Sequence, residues 1–173
     1  EKRLREFVAA RDAAVKRGRD AADLYRAFLD EVGVKRMVEH FESRDRFCHG
    51  AAHPLGMAVA ERTGDLATAM AVCGDSCTYG CIHGVFKTHF SRRGEAHDGA
   101  HERALLTPVD LERVGREVDA ACREDSALVP DFFRGNCAHG VGHAFGLLAP
   151  AVKTAASYCG VFDDAEMRYY CET

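Results

Sequence analysis

Two stretches of this chain repeat one arrangement of residues that ligate metals. Cys48-His49-Gly50-Ala51-Ala52-His53-Pro54-Leu55-Gly56 and Cys137-Ala138-His139-Gly140-Val141-Gly142-His143-Ala144-Phe145-Gly146 both read His-Gly-x-x-His-x-x-Gly, with a cysteine one or two residues upstream. Residues four apart share a helix face and residues seven apart continue it. His49, His53 and Gly56 are therefore expected along one stripe, and His139, His143 and Gly146 along another. Two imidazoles on one face project toward a single point, which suits a transition-metal ion. A third, incomplete copy is Cys81-Ile82-His83-Gly84, with Lys87 where the second histidine would stand. The expected ligands are His49, His53, His139 and His143, with His83 as fifth contributor.

The residues around these histidines narrow the chemistry. A zincin places a glutamate directly after its first histidine as general base; here that residue is Gly50 or Gly140. Di-iron bundles need Glu-x-x-His motifs, and none is offered. An all-imidazole set suits copper or zinc, and a neutral shell outside the cytosol tilts toward copper and redox chemistry. Zinc with an open position stays as an alternative, with Asp75 or Glu61 as a distant base. Covalent haem needs Cys-x-x-Cys-His, which Cys77, Cys81 and His83 miss by a residue at each gap; non-covalent haem on His49 or His139 remains open. Cys73, Cys77 and Cys81 match no radical-SAM spacing. They could bind Cu(I) from one helix face, but Gly74, Asp75, Ser76 and Gly80 favour a turn, with each cysteine tied to a different partner. A Cys–His nucleophile, Cys48 or Cys137 with a neighbouring histidine, is a weaker reading. His97 and His101 are also four apart, in a polar stretch, and read as solvated or as a lid.

The cysteines are the other unusual feature. Cys48, Cys73, Cys77, Cys81, Cys122, Cys137, Cys159 and Cys171 form an even, dense set in 173 residues. Such a set favours disulfides in an oxidising compartment, with 105 possible connectivities. The competing reading is a reduced thiolate site in the cytosol, but no compact Cys-x-x-Cys knuckle is present. The expected location is extracytoplasmic: periplasmic, secreted or membrane-tethered. The chain starts at Glu1 and reads as cut at both ends, so a signal or a membrane anchor in the missing N-terminal segment is open. No apolar run approaches membrane-spanning length. With 47% hydrophobic and 29% charged residues and a formal net charge of −4, nothing basic points to nucleic acid.

Helical spacing dominates the elements that must position these groups, and no stretch alternates like a strand for long. One helix is expected over 1–18, with Leu4, Phe7, Val8 and Val15 inward. A second runs from about Asp20 to Gly33, burying Leu24, Phe28 and Leu29; a third uses Val34, Met37, Val38 and Phe41. The first His motif forms a helix to Arg62, weakened at Pro54 and closed by Gly64. Asp65 caps Leu66 to Val72. A helix follows the cysteine turn and ends near Phe90, and 91–106 is expected to be a polar, mobile loop. Thr107 and Pro108 open the next helix, with Val109, Leu111 or Val114, Val118 and Cys122 inward. Phe132 and Phe133 anchor a connection over 126–136. The second motif helix runs from about Asn136 to Leu148, and Asp163 starts a last piece, Ala165 to Cys171.

The fold expected is thus all-α: a single disulfide-supported helical-bundle domain over 1–173, with a helical scaffold at 1–46 and the Cys/His-rich region at 47–173. His49 to His139 and His53 to His143 are both 90 residues apart, which suggests a degenerate internal repeat whose antiparallel motif helices face each other at the histidine site. So many helical glycines, each costing about 1 kcal/mol relative to alanine, need a packing or ligand reason. From about Cys48 to Cys171 the combined pattern resembles a Cys/His-rich family of hypothetical bacterial proteins; the resemblance implies a shared site and names no reaction. Three functions are consistent with the residues. One is a copper-type oxidoreductase acting on a small molecule or peptide. Another is metal capture and delivery, or haem binding, without turnover. The third is a disulfide-stabilised interaction domain whose histidines only pack.

Overall fold

The computed structural model describes residues 1–18, 22–94, 108–122 and 134–173. Asp20, His97, His101, Thr107, Phe132 and Phe133 lie outside the described residues. Among the described residues there are ten α-helices, one 3-10 turn and no strand, so the fold is all-α. The chain forms two compact units, Glu1–Val85 and Phe86–Thr173.

The first unit contains α1 (Lys2–Lys16), α2 (Ala22–Val32), α3 (Val34–Arg44), α4 (His49–Thr63), α5 (Leu66–Cys73) and the start of α6 (Gly80–Gly94). Phe7, Tyr25, Leu29, Met37, Val38 and Phe41 are buried together. The Phe7 ring meets Tyr25 edge-on at 5.1 Å and Phe41 at 6.2 Å. Val15 is 57% exposed, against expectation. The buried face of α1 runs through Phe7 and Ala14, seven apart, and Val15 lies about 100° around the helix from Ala14. Tyr25 ties this scaffold to the motif helix: its hydroxyl accepts from Arg11 Nε at 2.9 Å and donates to the Ala51 carbonyl at 3.2 Å.

Local signals act where expected. Gly64 closes α4 with a left-handed φ of 78°, and the Asp65 carboxylate accepts from the Thr68 amide at 2.8 Å. Pro54 does not break α4, which runs unbroken through it; one forfeited amide bond is outweighed by the packing of six buried residues along the helix. Helix α6 continues to Gly94, past the expected end at Phe90, so 91–94 are not loop. Ser91, Arg92 and Arg93 all tolerate a helix, and Gly94 is the first residue that disfavours one.

The second unit holds the rest of α6, α7 (Pro108–Cys122), α8 (Arg134–Leu148), α9 (Val152–Tyr158), the 3-10 turn Cys159–Val161 and α10 (Ala165–Glu172). Phe86 stacks on Phe90, Phe90 meets Phe145 at 6.1 Å, and Phe145 meets Tyr158 at 5.6 Å. Of the alternatives on α7, Val114 is the buried one, with Val118 and Cys122. Helix α8 starts at Arg134, two residues before Asn136. Asp164 caps α10, accepting from the Glu166 and Met167 amides.

All eight cysteines are paired: Cys48–Cys77, Cys73–Cys81, Cys122–Cys137 and Cys159–Cys171. Cys73 and Cys81 therefore bond to each other, not to different partners elsewhere, because the turn between them returns the start of α6 to the end of α5. This removes the three-thiol Cu(I) site and the Cys–His nucleophile. Four disulfides fit an oxidising environment.

Two stability predictions follow from the packing. A Cβ on Gly56 would overlap the Cys81 carbonyl and stand 3.0 Å from Gly84 Cα, whereas one on Gly50 meets nothing within 4 Å. Gly56→Ala should cost about 1–3 kcal/mol and Gly50→Ala should gain about 0.5–1 kcal/mol in urea unfolding; equal effects would contradict the geometry. His40, on α3, has a pKa held below its ordinary value by burial first, then by Arg44 and Arg11, with Asp12 opposing. Its folded pKa lies below the unfolded one, so its contribution is intact above about pH 6.5 and is lost as pH falls toward the folded value. His40→Leu should flatten the acid side of the stability–pH curve, checked by unfolding between pH 7 and 5.

Candidate metal centre

His49 and His53 leave α4 one turn apart, and His83 leaves α6 near its start. Ring centroids are 4.9 Å apart for His49–His53, 4.7 Å for His49–His83 and 5.8 Å for His53–His83. One nitrogen from each ring lies within 4.8 Å of the others. His83 is wholly buried, while His49 and His53 are half-buried.

Glycines bring the two helices close enough for this. A Cβ on Gly80 would strike the His49 carbonyl, and one on Gly84 would strike the His53 carbonyl; Gly56 stands against Cys81. With backbone against backbone, side chains rooted on α4 and α6 reach a common point. With larger residues at these positions the helices would be spaced apart and the three rings with them.

His49 is oriented from behind. Its Nδ1 lies 2.9 Å from the Thr78 carbonyl. A carbonyl only accepts, so Nδ1 carries the proton and Nε2 keeps its lone pair, the outer-partner arrangement of liganding histidines. Nε2 in turn lies 3.0 Å from His83 Nδ1. Two nitrogens each about 2.0–2.1 Å from one ion, at angles of about 90–110°, stand about 2.8–3.4 Å apart. The His49–His83 spacing therefore suits a chelate as well as a hydrogen bond.

The Thr78 carbonyl is aimed by an unusual turn. Cys77, Thr78 and Tyr79 have φ of 50°, 53° and 65°, and left-handed non-glycine residues cost about 1–2 kcal/mol each. The Cys48–Cys77 disulfide, the bond from the Cys77 amide to Glu42 Oε1 at 3.1 Å and that from the Gly80 amide to the Cys77 carbonyl at 3.1 Å hold the turn. Strain maintained beside convergent imidazoles is what functional sites store. Thr78 acts through its backbone, so no residue-type signal could have exposed it.

In the second unit, His139 and His143 project from α8 with Nε2 atoms 3.2 Å apart and ring centroids at 4.6 Å. His139 is half-buried and His143 exposed. The structure thus brings together His49, His53 and His83 in one unit, and His139 with His143 in the other. It also pairs His89 Nε2 with Glu117 Oε2 at 3.3 Å; 28 residues separate the two, and spacing alone held no clue to them. Glu61 pairs with Arg26 and is committed as an ion-pair partner, and Asp75 is exposed. Glu42 stands near the Cys48 and Cys77 sulfurs, but those atoms are spent in their disulfide. Compared with protein-family models, curated proteins and solved structures, the chain finds no match in any of the three.

The tautomer assignment is directly observable. Long-range proton–nitrogen spectra of metal-free protein at neutral pH should show His49 protonated at Nδ1. A signal for Nε2 protonation would mean that the Thr78 carbonyl does not orient this ring.

Proposed function

We propose that this protein binds a transition-metal ion, copper in preference to zinc, through His49, His53 and His83. The observation that carries this reading is the convergence of three imidazole nitrogens with His49 held so that its lone pair points inward. The group is all nitrogen, with no carboxylate among the three, and such a neutral set takes copper ahead of zinc in the usual affinity order. His139 and His143 supply a further nitrogen pair with chelating separation.

The four disulfides support a setting outside the cytosol, periplasmic, secreted or membrane-tethered. No helix among the described residues is long and apolar enough to cross a membrane. Bound copper would give the chain redox chemistry, and the use we propose for it is oxidation or reduction of a small molecule or peptide. Metal capture and delivery without turnover is the second reading; the complete burial of His83, which would slow exchange of an ion beside it, favours the capture part of it.

Elemental analysis of untagged protein purified without chelators, with the free-thiol count, tests the proposal. Copper bound and no free thiols is the expected result. His49→Ala, His53→Ala and His83→Ala should each weaken copper binding by more than the 10–100-fold typical of losing an outer-shell partner. No metal as isolated and no uptake on titration would return the histidines to a packing role.

A further inference from the structure

We infer that the cavity beside His139 and His143 is a ligand pocket for a small amphiphile, with an apolar body and one electron-donor head. The carboxylate, phenolate and thiolate classes fit this description. The head would meet the His139–His143 pair, and it rests on the metal reading above only in so far as an ion there receives it.

The cavity measures about 340 Å³, at the lower end of small-molecule sites, which run from about 300 to 1,000 Å³. Its walls are chemically divided. His139 and His143 contribute imidazoles, Leu147, Val152 and Ala155 aliphatic surface, and Glu172 a carboxylate that a ligand's head must avoid. Leu147 is 40% and Val152 87% exposed, so two large aliphatic side chains stay in contact with water where a ligand would cover them.

The glycines carry the argument further. The two units share a pattern: Gly56 on α4 meets the Cys81 carbonyl, and Gly142 on α8 meets the Cys171 carbonyl. Cys81 and Cys171 are 90 residues apart, like the paired histidines. By that register the counterpart of Gly56 is Gly146, yet the close contact on α8 is made one turn earlier, by Gly142. Gly146 is therefore released from packing: a Cβ built on it meets nothing within 4 Å. A mid-helix glycine costs about 1 kcal/mol against alanine, so one without a packing contact needs another reason. It lines the cavity, where its bare backbone lets a ligand lie against α8.

The test uses copper-loaded protein of measured metal content and a series of straight-chain carboxylates, from propionate to hexanoate, in calorimetric titrations. Affinity should rise about fourfold per methylene while chain is being buried. Gly146→Leu puts a Cβ where nothing lies within 4 Å and a side chain on the lining of the cavity. It should keep the copper content, leave the melting temperature unchanged or raised, since a helical glycine is replaced by a good helix former, and abolish the chain-length dependence. A flat series in the parent protein with copper still bound would overturn the pocket and leave the metal reading standing. A rising series unchanged in Gly146→Leu would also overturn it, since the chains would bind elsewhere. A rising series in protein that takes up no copper would support the pocket, with the imidazoles as hydrogen-bonding head group, and defeat the metal reading.

Discussion

Everything in the first unit depends on how closely the backbones of α4 and α6 approach. At Gly56, Gly80 and Gly84 a single added carbon would meet carbonyl groups of the opposing helix. Backbone atoms cannot rotate away as a side chain can, so this contact is rigid. It fixes the distance between the Cα atoms that carry His49, His53 and His83, and with it the size of the space their nitrogens enclose. The entropy cost of helical glycine is thereby converted into placement of chemistry.

The disulfides complete that constraint at the ends of the helices. Cys48 is the residue just before α4, and its bond to Cys77 fixes the left-handed turn whose Thr78 carbonyl orients His49. Cys73–Cys81 ties the end of α5 to the first turn of α6. The bridges thus hold in register the segments from which the imidazoles and their outer partner emerge. Tyr25, bonded to both Arg11 and Ala51, links the same helix to the scaffold.

The second unit reuses the arrangement with a shift. A motif helix with two histidines packs, through a glycine, on a helix carrying a disulfide-bonded cysteine. Moving the close contact one turn along α8 leaves Gly146 facing open space and a cavity next to the histidine pair. That difference in register accompanies a three-histidine cluster in one unit and a histidine pair beside a pocket in the other.

Much of this was legible in the residues alone. Periodic apolar residues, Gly64, Asp65 and the absence of alternation sufficed for an all-α reading, because helix formation and capping are governed by neighbours a few residues away. The i,i+4 histidine pairs were visible for the same reason, and an even cysteine count pointed to disulfides. Sequence could not pair Cys73 with Cys81, decide which glycines pack and which leave room, or reveal that Thr78 offers its carbonyl to His49 and that His89 meets Glu117. The Cys73–Cys81 bond spans only eight residues and is set by the conformation of the turn between them; the others depend on contacts between segments far apart in the chain, where backbone atoms of any residue type can serve and spacing carries no information. Residue type and local period determine which groups are available for chemistry; only tertiary packing, by setting distances between helices to within an ångström, decides which of them meet.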